Sequence, residues 1–390
     1  MIQLEVKGKQ LLDVSLDPLS SNVVRVRSLD IIKGAAILGV VMAHLVFVQT
    51  SGNSVPSKHP LGEFFYSALP LFIIITGYFY KARRGLFFHI KNRIVPLLLI
   101  FAILTVLLNF LMYCYLGLMG YDFSDNDFWG NIGKMLVGKG AFQDLYGDYF
   151  EGEMILGAYE VTHAYYFLQM LIVGSLIFYT IADIALRNWK RTLVAAIILT
   201  GITAVYMEFV HIQLPFMAQL GPLAAAFILI GAFLGKHHVA EYLENGYRER
   251  RYWKIFAIVL AASILCVFFI PTNMSLIYSE FGDYGGWSAF TFVITTFFCG
   301  MSLLFMAALF SKIPYASDVL AYLGVTCASV FLFHMFVAKF LASFYVTLNT
   351  ECWIPITDII NTVALATATV VIIVIFDQAA RKAGEYLGIK

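Results

Sequence analysis

The sequence contains ten apolar runs that approach or exceed the roughly 20 residues a helix needs to cross a bilayer. Of its 390 residues, 60% are hydrophobic and only 13% are charged. A soluble domain of this length has no way to bury so much apolar surface. The sequence therefore predicts an all-α polytopic membrane protein with about ten transmembrane helices. The runs fall at about 29–49, 61–80, 94–118, 164–184, 192–210, 215–235, 254–270, 287–310, 319–347 and 356–377.

The basic residues favour every second loop. Most lysines and arginines outside the runs lie in the N-terminal segment and after the even-numbered runs, and the alternate loops hold only Lys58, Lys134 and Lys139. This asymmetry predicts a multi-pass protein of the cell membrane (inner or plasma membrane) with both termini in the cytoplasm. The predicted parts are a cytoplasmic tail at 1–28, a membrane domain at 29–377 with an outward loop at about 119–163, and a cytoplasmic tail at 378–390.

The composition gives no sign of a metal or a nucleic acid. The five cysteines are scattered, and no CxxC motif or Cys/His cluster occurs. We therefore expect neither a disulfide framework nor a metal site. The net charge of +1 indicates no acidic partner, so no nucleic acid is expected among the partners. Membrane lipid is the partner that the composition implies.

The first apolar run carries three ionisable residues, Asp30, Lys33 and His44. At about 100° per residue, the eleven-residue spacing puts Lys33 and His44 on one helix face. A rise of about 1.5 Å per residue separates them by roughly 16 Å, about half the hydrocarbon thickness. Asp30 and Lys33 are spaced i,i+3, so they can form an ion pair. Ionisable residues inside a membrane are costly and indicate function by default.

Three stretches resemble the acyltransferase-3 family of membrane O-acyltransferases. SLDIIKGAAILGVVMAHLVF at 28–47 is similar to the family's first helix, which reads roughly L-D-x-L-R-G-x-A and ends in histidine. Lys33 stands at the family's arginine position. LPLFIIITGYFY at 69–80 resembles its second helix, with Thr76 in place of serine. FHIKNRIVPLLL at 88–99 resembles the basic start of its third helix.

Two weaker similarities occur later in the chain. THAYYFLQ at 162–169 resembles the family's fourth helix, and LGVTCASVFLFH at 323–334 resembles a late segment that ends in histidine. All five stretches occur in the family's order. The lysine at position 33 supplies a point charge rather than the bidentate fork of an arginine.

The resemblance implies an acyl-CoA donor, most simply acetyl-CoA, and an acceptor hydroxyl on an outward-facing carbohydrate, a lipid-linked glycan or a cell-envelope glycan. It implies that His44 is catalytic, as a general base or a transient acyl carrier, which suits an imidazole near neutral pH. Lys33 is the implied cation for the donor's phosphates. Other residues expected to bind the donor are Arg83, Lys91 and Arg93. Residues expected on the acceptor side or in support are Asp30, Glu160, His163 and His334.

Each of these residues also has a simpler structural interpretation. His44 and His334 can hydrogen-bond a neighbouring helix, and Lys33 can extend toward the membrane surface. The basic residues between the second and third runs also follow the positive-inside rule. Glu160 and His163 lie where the fourth helix begins, as a capping acid and an interfacial histidine.

Two other functions stay open at this point. A transporter or flippase for a lipid-linked saccharide would use the same charges for binding or proton coupling. A family member that senses or scaffolds without catalysis is the other alternative. No convincing internal repeat is present in the sequence, which weakens the transporter interpretation. The expected function is membrane O-acyl transfer. Thioester hydrolysis or transfer by purified protein would distinguish such an enzyme from a transporter.

Overall fold

Long apolar stretches form helices in the computed structural model of the protein, because a helix satisfies its backbone hydrogen bonds within itself. The structure describes residues 26–50, 68–81, 85–118, 128–136, 149–150, 153–154, 166–210, 212, 214–269, 286–348 and 355–386. Within these ranges, side chains are not described at 43–50, 68–69, 115–116, 149–150, 153–154, 338–340, 342–348, 355–362 and 385–386.

The helices are numbered in chain order. They are α1 (Arg27–Thr50), α2 (Ala68–Tyr78), α3 (Leu86–His89, the π-helical Ile90–Ile94 and Val95–Leu118), α4 (Phe128–Leu136), α5 (Tyr166–Ala185), α6 (Trp189–Phe209), α7 (Gly221–Lys236), α8 (Val239–Gly246), α9 (Arg250–Phe269), α10 (Ser288–Phe310), α11 (Ala316–Leu348) and α12 (Pro355–Tyr386). A 3-10 turn, Pro215–Leu220, leads into α7. Two short strands, β1 (Tyr149–Phe150) and β2 (Glu153–Met154), pair antiparallel with Tyr149 opposite Met154.

Among the described residues, eight helices are long and apolar enough to cross a membrane. They coincide with the third to tenth apolar runs, which confirms an all-α polytopic membrane protein. The first run coincides with α1, a helix of 24 residues. The second coincides with α2, which is described from Ala68 to Tyr78. The count of ten spans stays a prediction.

α1 and α11 cross with their backbones almost in contact. A Cβ atom on Gly34 would lie 2.0 Å from the carbonyl oxygen of Leu320. A Cβ atom on Gly324 would lie 1.8 Å from the carbonyl oxygen of Asp30. Only glycine fits at either position, and such small residues let membrane helices approach closely.

The register of this crossing shows that α1 and α11 run parallel. Gly34 contacts Gly324, and one end of the same interface has the Arg27 guanidinium donating to the Ser317 hydroxyl at 2.6 Å. Both contacts join residues 290 positions apart in the chain. Since the offset is the same at both points, the helices advance in the same direction.

α2 and α7 form a second close parallel pair. Cβ atoms on Gly231 and Gly235 would lie 1.8 Å and 2.1 Å from the carbonyl oxygens of Ile74 and Tyr78. α7 is also the centre of the bundle, because every side chain from 223 to 229 is buried. Its neighbours are α2, α5 and α6.

The amphipathic α8 ties the ends of two membrane helices together. The Glu244 carboxylate accepts a hydrogen bond at 2.6 Å from the backbone N–H of Ser28, in the first turn of α1. The Glu241 carboxylate accepts a hydrogen bond from the hydroxyl of Tyr78, the last residue of α2. The start of α1 and the end of α2 therefore lie at the same end of the bundle.

Two further contacts bring other basic loops to that end. The Lys236 ammonium, at the end of α7, donates a hydrogen bond at 2.6 Å to the carbonyl oxygen of Leu186, which follows α5. The Lys312 ammonium, after α10, lies 5.3 Å from the centre of the Tyr247 ring, after α8. Loops after even-numbered runs thus share one end, as their charge predicts. That this end faces the cytoplasm stays a prediction.

Candidate functional site

Lys33 and Asp30 form an ion pair inside α1, as their spacing predicts. The Lys33 Nζ atom lies 2.7 Å from Asp30 Oδ1. The Lys33 side chain is 22% exposed and that of Asp30 is 7% exposed. An ammonium has three donor protons, so one bond to Asp30 leaves two with which Lys33 can bind an anion. Asp30 thus orients the cation and compensates its charge.

α11 forms one wall of this site. Gly324 packs on the backbone of Asp30, and the Cys327 thiol, about one turn farther along α11, is within electrostatic reach of both Lys33 and Asp30. Farther along, both helices remain in one apolar cluster that includes Val41 and Val330. The charged pair therefore lies between two closely packed parallel helices.

His334 lies deeper along the same α11. Its side chain is only 1% exposed, and its Nδ1 atom lies 2.8 Å from the carbonyl oxygen of Phe331. A carbonyl oxygen only accepts hydrogen bonds, so Nδ1 carries the proton and Nε2 is the basic nitrogen of the neutral ring. The Phe331 ring contacts Phe167 of α5 and Phe72 of α2, at centroid distances of 5.0 and 6.4 Å. Aromatic packing therefore fixes the helix turn that carries this imidazole.

Lys91 and Arg93 lie in the π-helical turn of α3, and both side chains are exposed. Pro96 lies two residues after this turn, and it has no N–H to continue the hydrogen-bond ladder. π-helical turns are rare and often occur at functional sites. Within the described part of the chain, neither residue forms an ion pair with a carboxylate, so both are available to an anion.

The sequence interpretation missed His89, which immediately precedes the π-helical turn. Its side chain is 5% exposed, and its ring stacks on that of Tyr179 with a centroid distance of 4.3 Å and an interplanar angle of 13°. Tyr80 contacts the same ring at 5.3 Å. These contacts hold the start of α3 against α5 and so position Lys91 and Arg93. The only sequence signal was a histidine beside the basic pair.

Four predicted site residues lie wholly or partly outside the described residues. They are Arg83, Glu160, His163 and, for its side chain, His44. The backbone of α1 includes position 44. The structure brings Asp30 and Lys33 together and places His334 on the helix that packs against them.

Comparison with protein families matches residues 26–377 to the acyltransferase domain family Acyl_transf_3. Comparisons with curated proteins and with solved structures found no match. The family match covers nearly the whole chain and includes α1, where the ion pair lies, and α11, where His334 lies. The family expected from the five sequence stretches is therefore confirmed. The chain belongs to the acyltransferase-3 family and is a multi-pass membrane acyltransferase.

Proposed function

We propose that the protein transfers an acyl group, most simply acetyl, from cytoplasmic acyl-CoA to a hydroxyl of an outward-facing carbohydrate or cell-envelope glycan. Membership of the family indicates acyl transfer. The residues of α1, α3 and α11 support acyl-CoA as the donor and a path for its thioester along α1. The observation that carries the proposal is the half-buried Lys33 ammonium, fixed by Asp30 at the contact between α1 and α11.

In this proposal the donor's phosphates bind at the basic end of the bundle. Coenzyme A is a polyanion, and Lys33, Lys91 and Arg93 each offer cationic donors to its phosphate oxygens. Arg83, in the same basic loop, is expected to join them. The flexible arm of coenzyme A then carries its thioester along α1, away from the basic end.

The acyl transfer itself requires a base near the thioester. The 290-residue offset between α1 and α11 pairs Arg27 with Ser317 and Gly34 with Gly324. Continued for ten more residues, the same offset would pair position 44 with His334. This register supports a pair of histidines at one depth. The His44 imidazole accepts the acceptor's hydroxyl proton while the oxygen attacks the thioester carbonyl. The C–S bond then breaks, and coenzyme A leaves as a thiolate that takes up a proton.

A covalent route uses the same residues. His44 would first receive the acyl group from the thioester, release coenzyme A, and then pass the acyl group to the acceptor hydroxyl. Both routes require an imidazole at position 44, and trapping of an acylated protein after acid quench distinguishes them.

The test uses purified protein in lipid nanodiscs with radiolabelled acetyl-CoA and envelope material from cells that lack the protein. We expect label to enter the glycan fraction with wild-type protein. His44→Ala should fold and bind coenzyme A, yet lose at least about 100-fold in transfer, because a positioned general base contributes about 10²–10⁴-fold. His237→Ala, which removes an exposed histidine after α7, is the matched control and should transfer normally. Transfer by His44→Ala above a tenth of the wild-type rate would contradict the assigned role, and wild-type protein that labels no glycan would contradict the proposed function.

A further inference from the structure

Two buried amide side chains face α4, the helix within the predicted outward loop. Asn109 of α3 is 0% exposed and Gln169 of α5 is 1% exposed. Neither residue was singled out as a site in the sequence. We refer to Asn109 and Gln169 as the amide pair.

Both amide nitrogens of the pair converge on Met135, near the end of α4. Asn109 Nδ2 donates to the carbonyl oxygen of Thr105 at 2.9 Å and lies 2.9 Å from the Met135 sulfur. Gln169 Nε2 donates to the carbonyl oxygen of Met135 at 2.5 Å. Since carbonyl oxygens only accept, these contacts fix the orientation of both amides.

The orientation leaves both amide oxygens as acceptors. Asn109 Oδ1 and Gln169 Oε1 are buried and have no hydrogen-bond partner among the described residues. Buried polar atoms in proteins nearly always have a partner, because leaving one unpaired is costly. Gln219 shows the usual outcome, since its Oε1 accepts a hydrogen bond from the backbone N–H of Leu214 at 3.1 Å. The amide pair, whose nitrogens both contact Met135, therefore offers two acceptors that have no partner among the described residues.

We propose that the amide pair binds the hydroxyl groups of a neutral, hydroxyl-rich ligand, and that this ligand is the carbohydrate acceptor of the proposed transfer. The inference thus rests on the proposed function for the identity of the ligand. Two acceptor oxygens bind O–H donors and repel anions, which excludes the phosphates of the donor from this place.

The neighbouring side chains suit such a ligand. Met135 has a flexible side chain, so a change of its rotamer can make room for a ligand beside the amide pair without moving α4. Asn131 of α4 donates to the Tyr113 hydroxyl at 3.2 Å, and the Tyr113 ring packs against Phe128 at 5.4 Å. These aromatic rings provide an apolar face next to the amide pair. A sugar ring likewise has an apolar C–H face and polar hydroxyl groups, so the two surfaces are complementary.

The amide pair also lies close to the helix that carries His334. Leu168 and Ile172 of α5 share one apolar cluster with Met135 of α4 and Met335 of α11. Met335 immediately follows His334. A ligand held at the amide pair would thus lie beside an apolar cluster that also includes the helix carrying the imidazole.

The test is saturation-transfer NMR of purified protein with the methyl glycosides of glucose, galactose and mannose at millimolar concentration. We expect transfer to at least one glycoside with wild-type protein. Asn109→Leu and Gln169→Met should each weaken binding by about three- to tenfold, the loss expected for one neutral hydrogen bond. Met135→Ala, which widens the space and keeps both amides, should bind at least as well as wild type.

Asn245→Leu and Gln219→Met are the matched controls. Asn245 makes the same bond to the carbonyl four residues earlier as Asn109 does, and Gln219 is a buried amide whose oxygen is satisfied. Neither control should change glycoside binding, and thermal unfolding of each variant checks that it is folded. If Gln169→Met does not fold, Asn109→Leu carries the test.

The inference would be overturned if wild-type protein showed no saturation transfer to any glycoside, or if wild type and Asn109→Leu bound the glycosides equally. Either result would assign the two amide oxygens to buried water only. Glycoside binding that depends on the amide pair, in a protein that transfers no acyl group, would contradict the proposed function and leave this inference standing. If the protein transfers acyl groups to glycan but neither substitution affects glycoside binding, the proposed function stands and this inference is contradicted.

Discussion

Substitution of Gly34 by alanine tests whether the contact between α1 and α11 positions the proposed donor site. The new Cβ atom would lie 2.0 Å from the backbone oxygen of Leu320, whereas ordinary contacts begin at 3.4 Å. A backbone atom cannot rotate away, so the helices must separate by about 1.4 Å, the difference between these distances. Overpacking of this kind costs typically about 1–3 kcal/mol. Lys33 is the adjacent residue, so its position relative to α11 changes as well.

Gly201→Ala is the matched control. Gly201 lies inside α6, and among the described residues a Cβ atom there would meet only the Phe290 ring, at 3.7 Å. Alanine is favoured over glycine within a helix by about 1 kcal/mol, so this variant should be as stable as wild type or slightly more stable. The two variants make the same chemical change and differ in the space around it.

The assay combines thermal unfolding in nanodiscs with acyl transfer from acetyl-CoA. We expect Gly34→Ala to unfold at a lower temperature and to transfer at least tenfold more slowly, because a misplacement of about 1 Å can cost about 100-fold in rate. Gly201→Ala should match wild type in transfer. Wild-type stability and transfer in Gly34→Ala would show that the helices do not meet at this glycine.

Three further predictions concern the charged pair and the topology. Lys33→Met should weaken coenzyme A binding by about 10- to 100-fold, the range for a lost charge-assisted hydrogen bond, as measured by calorimetry. Lys33→Arg should keep most of the affinity, because it keeps the positive charge. Unchanged affinity in Lys33→Met would refute the proposed donor site. Asp30→Asn keeps a side-chain oxygen beside Lys33 but removes its negative charge. It should therefore lower the unfolding temperature while binding coenzyme A at least as tightly as wild type. A loss of affinity as large as that of Lys33→Met would show that the charge of Asp30 is needed to hold Lys33 in place. A cysteine at position 245 should resist a membrane-impermeant reagent in intact cells, because the end of the bundle where α8 lies is predicted to be cytoplasmic, and labelling from outside would reverse the orientation.

Most of the helical architecture could be predicted from the sequence because a span of about 20 apolar residues has few alternatives to a helix in a bilayer. The eight described spans confirm this. The amphipathic helices α4 and α8 were not predicted, since each is short and lies in a loop that was interpreted by its charge alone. The π-helical turn of α3 was also missed, because Pro96 marks a break in hydrogen bonding without specifying its form.

The candidate site was predictable where its contacts are local. The ion pair of Asp30 and Lys33 follows from their i,i+3 spacing, and it is present. The approach of Gly34 to α11 joins residues 290 positions apart, so no local pattern contains it. For the same reason, the sequence does not predict the stacking of His89 on Tyr179 or the contact of both Asn109 and Gln169 with Met135, since these contacts also join distant parts of the chain. Each depends on which helices become neighbours, and the periodicity of one helix does not specify its partner.

The ion pair within α1 has a consequence for how the protein is made. α1 precedes α8 and α11 in the chain, so it is synthesised well before α11 packs against its backbone and α8 caps its first turn. Without Asp30, the positive charge of Lys33 would stay uncompensated in the membrane until a distant helix provided a partner. Because Asp30 lies on the same helix, the charge is compensated as soon as α1 forms. α1 can therefore enter the bilayer by itself, and the proposed donor site is completed when α11 packs against it.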